Sequence, residues 1–304
     1  MAKDIGPPVR SDVAVGVVKT LPRYSETRRV IRVFLGRKVS VIGLVIIVVF
    51  IFTAIFAPWL APYDPFEMRL GSKLLQPSSE HIFGTDSLGR DTLSRIIYGS
   101  RTSLMVGICA ISIGAVIGGC LGLTAAHFGG TVFAVIMRLT DALMAFPMIL
   151  LALIIASLLG GGIKNVIIAL GIGMIAGQCR MMCGQALTIK QNDYILAARA
   201  MGMGNLRIML MQILPNAFPP VLVMITVSLG ATILAEAGLS FLGIGITPPG
   251  AAWGSMVNEG YKYLLMRPGL SFAPGVAIML VVFGFNMMGD GLRDALDPRL
   301  RGTL

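Results

Sequence analysis

The chain has 304 residues, of which 55% are hydrophobic and only 13% charged, with a formal net charge of +10 at pH 7. A soluble domain usually carries about a quarter charged residues, so this composition excludes an ordinary soluble enzyme or binding module. Nucleic acid is not indicated either, because the basic residues flank apolar runs instead of gathering on one polar domain with aromatic partners.

Long apolar runs without period-two alternation select membrane helices over a barrel. Residues 1–38 are polar and basic and lack a short apolar core before a small-residue cleavage site, so they read as a cytoplasmic N-terminal tail and not as a signal peptide. Residues 39–60 form the first expected span, long enough to cross a core of about 30 Å and closed by Trp59 and Tyr63. An extracytoplasmic loop follows over 61–103. Its second half reads as an amphipathic helix, with Leu93, Ile96 and Ile97 on the apolar side and Asp91 and Arg95 one turn apart on the polar side. The remaining spans are expected at 104–126, 139–159, 166–187, 217–246 and 272–288, within a permease core of 104–290 and before a cytoplasmic tail of 291–304. The fold class is therefore all-α integral membrane, with six transmembrane helices and both termini cytoplasmic. Loops 127–138 and 187–216 then face the cytoplasm, and 160–165 and 247–271 face outward.

The loop 187–216 is longer than a simple link requires. Its core, QNDYILAARAMGMGNLRIMLMQILPN (191–216), has helical periodicity in two pieces. Tyr194, Ala197, Ala198 and Met201 share one predicted face, and the alanines make it thin. Gly202 and Gly204 then weaken the helix. The second piece places Leu206, Met209, Leu210 and Ile213 together and is expected to stop at Pro215. Two short helices joined at glycine suit docking into a groove on a partner; periodicity alone equally allows an amphipathic element resting on lipid headgroups.

AARAMG followed nine residues later by QILP resembles the cytoplasmic loop of ABC importer permeases, whose pattern is Glu-Ala-Ala, three residues, Gly, nine residues, and a hydrophobic stretch ending Leu-Pro. The matching positions are Ala197, Ala198, Gly202, Leu214 and Pro215, while the Glu position holds Leu196 and Gln212 opens the final stretch. FGTDSLGRDTLSRIIYGSR (83–101), MRLTDALMAFP (137–147), AEAGLSFLGIGITPP (235–249), WGSM (253–256) and FNMMGDGLRDALDPRLR (285–301) are similar, in order, to the dipeptide, oligopeptide and nickel permease family, in its second-permease, C-type branch.

The resemblance implies a type I ABC importer permease fold in the cytoplasmic (inner) membrane. It also implies a homologous second permease, two cytoplasmic ATPase subunits and an extracytoplasmic solute-binding protein as partners. The implied function is ATP-driven import of dipeptides or oligopeptides, with nickel complexes or glutathione as alternatives. Tyr194, Ala197, Ala198, Gly202, Leu214 and Pro215 would form the ATPase-coupling loop. No GxxxxGK[ST] cradle occurs, so ATP and Mg are expected on the partner subunits and no cofactor on this chain. An ion-coupled secondary transporter is the rival of another class. It calls for several intramembrane charges and often two similar halves, and gives this loop no use.

No GxSxG or HExxH constellation appears, so no catalytic residue is assigned. Glu236, inside the fifth run, and Asp141, near one end of the third, are candidates for a pathway or structural role. Glu236 is expected to face water or to pair with an arginine, Asp141 to pair with Arg138, and Arg180 to act as a cytoplasmic-side anchor. Cys179 and Cys183 stand one turn apart with Met181 and Met182 between them. They could suggest a soft-metal site, but ordinary core packing explains them and no metal site is assigned. Gly114, Gly118 and Gly122 repeat a GxxxG spacing on the second span, which predicts close helix packing.

Overall fold

The computed structural model describes residues 23–246 and 249–296. The basic tail before residue 23 and the C-terminal residues after 296 lie outside the described residues. Among those described, the chain is helical, with one isolated bridge, Thr85 to Asp91. The helices are α1 (Arg23–Gly36), α2 (Lys38–Ile55), α3 (Ala57–Leu60), α4 (Thr92–Phe128), α5 (Gly130–Met144), α6 (Met148–Leu159), α7 (Ile163–Lys190), α8 (Asp193–Ala200), α9 (Asn205–Ile208), α10 (Leu214–Phe241), α11 (Trp253–Tyr261) and α12 (Gly269–Leu296). Five helical segments are long and apolar enough to span a membrane, and α5 with α6 makes a sixth if that bent pair is one span.

The expected apolar runs fall on helices, with three differences of shape. The first breaks at Phe56, just before Pro58, so α3 is separate from α2. The amphipathic helix and the second span are one continuous α4 of 37 residues. The third is bent by 87° between α5 and α6. Pro147, with ψ at 130°, starts α6; it lacks an N–H and disfavours helical geometry at Phe146, so the ladder cannot pass through.

Packing follows the glycines. A Cβ at Gly114 or Gly122 would overlap Met174 or the Cys179 carbonyl of α7, and one at Gly118 would lie 2.5 Å from the Ile175 carbonyl. The predicted GxxxG seam is thus the α4–α7 contact, where surfaces without side chains let two backbones touch. Gly43 of α2 meets Gly284 and Met287 of α12 in the same way. Helix α10 lies between these pairs, and α11 covers one end with Trp253 fully buried and its indole N–H donating to the Ile96 carbonyl at 3.0 Å. Residues 61–91 and α11 share that end, and α8 and α9 lie at the other.

Candidate functional site

Helix α8 follows Asn192, whose extended backbone starts the helix. It ends in a Schellman motif: the Gly202 N–H donates to the Arg199 carbonyl and the Met203 N–H to the Ala198 carbonyl. The motif needs a left-handed residue, and Gly202 supplies it with φ +79°. The predicted joint at Gly202 is therefore present. The second piece departs from expectation, because the helix does not stop at Pro215. Met209–Ile213 forms a π-turn, the Leu214 N–H reaches back to the Met209 carbonyl, and α10 continues through Pro215, Pro219 and Pro220. The wider turn relieves the clash that a proline ring makes with the carbonyl four residues earlier, so Pro215 is accommodated near the start of α10.

The predicted faces are also redistributed. Ile195 and Ala198 of α8, with Ile208, Ile213, Ala217 and Val221, are buried against Leu123, Ala126, Met182, Cys183, Ala186 and Ile189 of α4 and α7. Tyr194, Ala197 and Met201, expected beside Ala198, face out instead, as do Leu206 and Leu210, expected beside Ile213. Leu214 is half-buried and Pro215 exposed. The underside is anchored, since each fully buried Ile is worth about 1.5–3 kcal/mol, and the outer side presents Tyr194, Leu196, Met201 (78% exposed), Leu206 (65%), Leu210 and Met211. The Lys190 ammonium donates to the Ala126 and His127 carbonyls at 2.9 and 2.8 Å, closing the end of α4 beneath this platform. Cys179 and Cys183 are packed in the core, as predicted, and no metal-binding cluster occurs among the described residues.

The two acidic candidates lie apart from the loop and from each other. Glu236 is fully buried and neither faces water nor meets an arginine. It accepts from the Ser103 hydroxyl of α4 at 3.0 Å and the Ser240 hydroxyl at 2.7 Å, and Ser240 accepts in turn from the Ile246 N–H. A buried carboxylate needs such partners, and here they tie α4, α10 and the following turn together. Asp141 pairs with Arg180 of α7, not with Arg138, because α5 packs on α7 and brings a residue 39 positions away to it.

One polar cluster escaped sequence reasoning. Arg90 and Arg95, both buried, converge on Asp86 and on Glu259 of α11, with Arg90 2.7 Å from Asp86 and both arginines 2.9 Å from Glu259. The expected polar side of the α4 start is thus its inner side. Asp91 does not pair with Arg95; it caps α4 through the Ser94 N–H at 2.8 Å and meets the His81 ring at the same distance. Burial alone would push the Asp86 carboxyl up, but Arg95, the Arg90 N–H and the Arg90 guanidinium together hold it below the ordinary carboxylate range. The motif at 83–101 contained three of the four residues; nothing near Glu259 in sequence announced the fourth.

The family described as binding-protein-dependent transport system inner membrane component matches residues 118–302, and the N-terminal TM domain of oligopeptide transport permease C matches 25–77. The chain is 42% identical over 264 residues to a dipeptide transport system permease protein of Alkalihalophilus pseudofirmus, covering 87% of each. It is 42% identical over 272 residues to a glutathione transport system permease protein of Escherichia coli, covering 89% of this chain and 90% of that one. A probable D,D-dipeptide transport system permease protein of Escherichia coli is 39% identical over 267 residues, with 88% and 90% covered. Among solved structures, an inward-facing methionine ABC transporter superposes with a TM-score of 0.55 at 21% identity over 67% of this chain and 97% of that one, which establishes the shared fold. With the matched segments, the helical bundle and these full-length relatives in agreement, the chain belongs to the family of binding-protein-dependent inner-membrane transport components, the permease subunits of ABC importers.

Proposed function

We propose that this chain is one of two homologous permeases of an importer for short peptides, driven by two cytoplasmic ATPase subunits and fed by an extracytoplasmic binding protein. The observation that carries the coupling part is the platform of α8 and α9: a rigidly anchored underside with an exposed apolar outer face at Tyr194, Leu196, Met201, Leu206 and Leu210. Such a face fits a groove on a partner, and Leu196 in place of the family's Glu makes the contact apolar instead of ionic. ATP and Mg belong to the partners, whose closure moves the platform and, through α7 and α10, the bundle. The basic residues Arg28, Arg29, Arg32, Arg37, Lys38, Lys190, Arg199, Arg207 and Arg293 gather at the platform end, which supports a cytoplasmic location for it. The similarity to dipeptide, D,D-dipeptide and glutathione transport permeases supports peptides as the solute class.

Co-purification of the tagged chain from its native membrane, with partners identified by mass, tests the reading. A second permease and two ATPases are expected, with dipeptide uptake that stops without ATP. Recovery of this chain alone, active without ATP, replaces it with an ion-coupled secondary transporter.

A further inference from the structure

Helix α1 lies at the platform end, immediately before the first span. The helical ladder breaks at Arg37, whose backbone is extended at φ −96° and ψ 113°. A Cβ at Gly291 of α12 would meet both Ser40 of α2 and the Phe34 ring of α1, and Arg37 pairs with Asp294 of α12. In a straight continuation of α2, the six residues from Phe34 to Ser40 would set the two about 9 Å apart along the axis. Their shared contact with Gly291 turns α1 across the end of α12, at the level where α2 enters the bundle.

The described side chains of α1 sort by position around the helix. Val30, Val33 and Phe34 are half-buried. Ile31 and Leu35 form the next row, 53% and 52% exposed, and Val39 and Ile42 carry this apolar edge onto α2. Arg28 and Arg32 form the row beyond, also exposed, with Arg29 half-buried beside them. Among the described residues, these three arginines and Lys38 have no ion-pair partner, whereas Arg37 does. Residues 25–77 match a domain separate from the inner-membrane component at 118–302, so α1 and α2 belong to a module added to the shared permease bundle.

An apolar row beside a cationic row suits a membrane interface, where the first dips into the acyl boundary and the second stays at the level of the phosphates. A lipid occupant is favoured over a protein one because the apolar edge runs onto a helix able to span the bilayer, and the cations stand where that span begins. We propose that α1 is an interfacial helix whose Arg28, Arg29 and Arg32, with Lys38 at the start of α2, bind the phosphates of anionic phospholipids in the leaflet at the platform end. Ile31 and Leu35 bury among the acyl chains, the free guanidinium groups meet phosphate oxygens, and Arg37 stays committed to Asp294. The contact fixes the height of the first span and of the end of α12 in the membrane. It goes beyond the importer reading and holds whichever solute is carried.

The test uses the purified importer complex in detergent micelles containing equimolar phosphatidylglycerol and phosphatidylcholine, with bound lipid counted by mass. The wild type is expected to be enriched in phosphatidylglycerol. The triple variant Arg28→Gln, Arg29→Gln, Arg32→Gln is expected to lower that enrichment at least about fivefold, the worth of one such cation at a membrane surface. Replacing the same three residues by Lys keeps the charge and is expected to keep the enrichment. Equal enrichment in the wild type and the Gln variant overturns the proposal, and so does loss in the Lys variant. Depth is read separately from a bimane label at Ile31→Cys, with the exposed Cys109 and Cys120 changed to Ser, in nanodiscs of the same lipids. Quenching by phosphatidylcholine brominated on its acyl chains is expected. An unquenched label, or crosslinking of position 31 to another subunit, means that protein covers α1 and overturns the lipid contact. Failure of ATP-driven uptake is a separate result, which bears on the importer reading and not on this contact.

Discussion

Gly118 and Gly122 occupy places where α4 and α7 touch backbone to backbone, and no other residue fits there. Gly122→Ala is expected to destabilise the chain by about 1–3 kcal/mol in a detergent melt, through overpacking against the Cys179 carbonyl. Gly177→Ala, at an open helical position, should leave the melt unchanged or stabilise it by about 0.5–1 kcal/mol. The GxxxG spacing made these contacts legible, since small residues at that interval have one efficient use in lipid. The partners of Glu236 and Asp141 were not legible, because Ser103 and Arg180 are 133 and 39 positions away and only packing brings them near.

Asp86 carries a pH prediction at the same scale. Its carboxyl is held below the usual range by Arg95 and Arg90, against the opposing effect of burial. A depressed native value means that the stabilisation is fully present above the unfolded value of about 3.9 and is lost as pH falls through the lower native one. Wild-type melts should therefore lose stability on acidification from about pH 5 downward, and Asp86→Asn should start lower and show a flatter acid limb.

Between helices, the behaviour of α8, α9 and α10 follows from the Schellman turn at Gly202 and the π-turn before Pro215. Proline at 202 is excluded from φ +79° and removes the N–H that bonds to Arg199, so Gly202→Pro should cost about 1–3 kcal/mol locally. Given the coupling role proposed for this platform, the expected phenotype is ATP hydrolysis uncoupled from uptake in an assembled complex; full transport would contradict it. Leu206→Asp and Leu210→Asp alter exposed positions and should leave melting within about 0.5 kcal/mol while weakening co-purification of the ATPases. Glycine punctuation and two helical pieces were readable from residues 191–216. The inward and outward sides were not, because Tyr194 and Ala197 satisfy the same periodicity as Ala198, and only the ends of α4 and α7 decide which residue is covered.

Across the described residues, the six apolar segments return in order, five as long helices and one as the bent pair α5 and α6. Their packing leaves two tied ends. At one, the α8–α9 platform rests on α4 and α7; at the other, Asp86, Arg90, Arg95 and Glu259 join the loop before α4 to α11. The motion proposed for the platform needs such firm ends to reach the far side as a discrete repacking.

Composition and apolar run length determined, from the sequence by itself, that the chain is helical and embedded in a membrane, because lipid leaves a backbone only helices or a closed barrel and the long runs lack a barrel's alternation. The ordered motifs determined its family, and the glycine spacing its tightest helix contact. Tertiary structure alone decided which polar groups meet. Arg180 with Asp141, Glu236 with Ser103, and Arg95 with Glu259 join distant helices, and ion pairs and buried hydrogen bonds act over a few ångströms of space, whatever the separation along the chain.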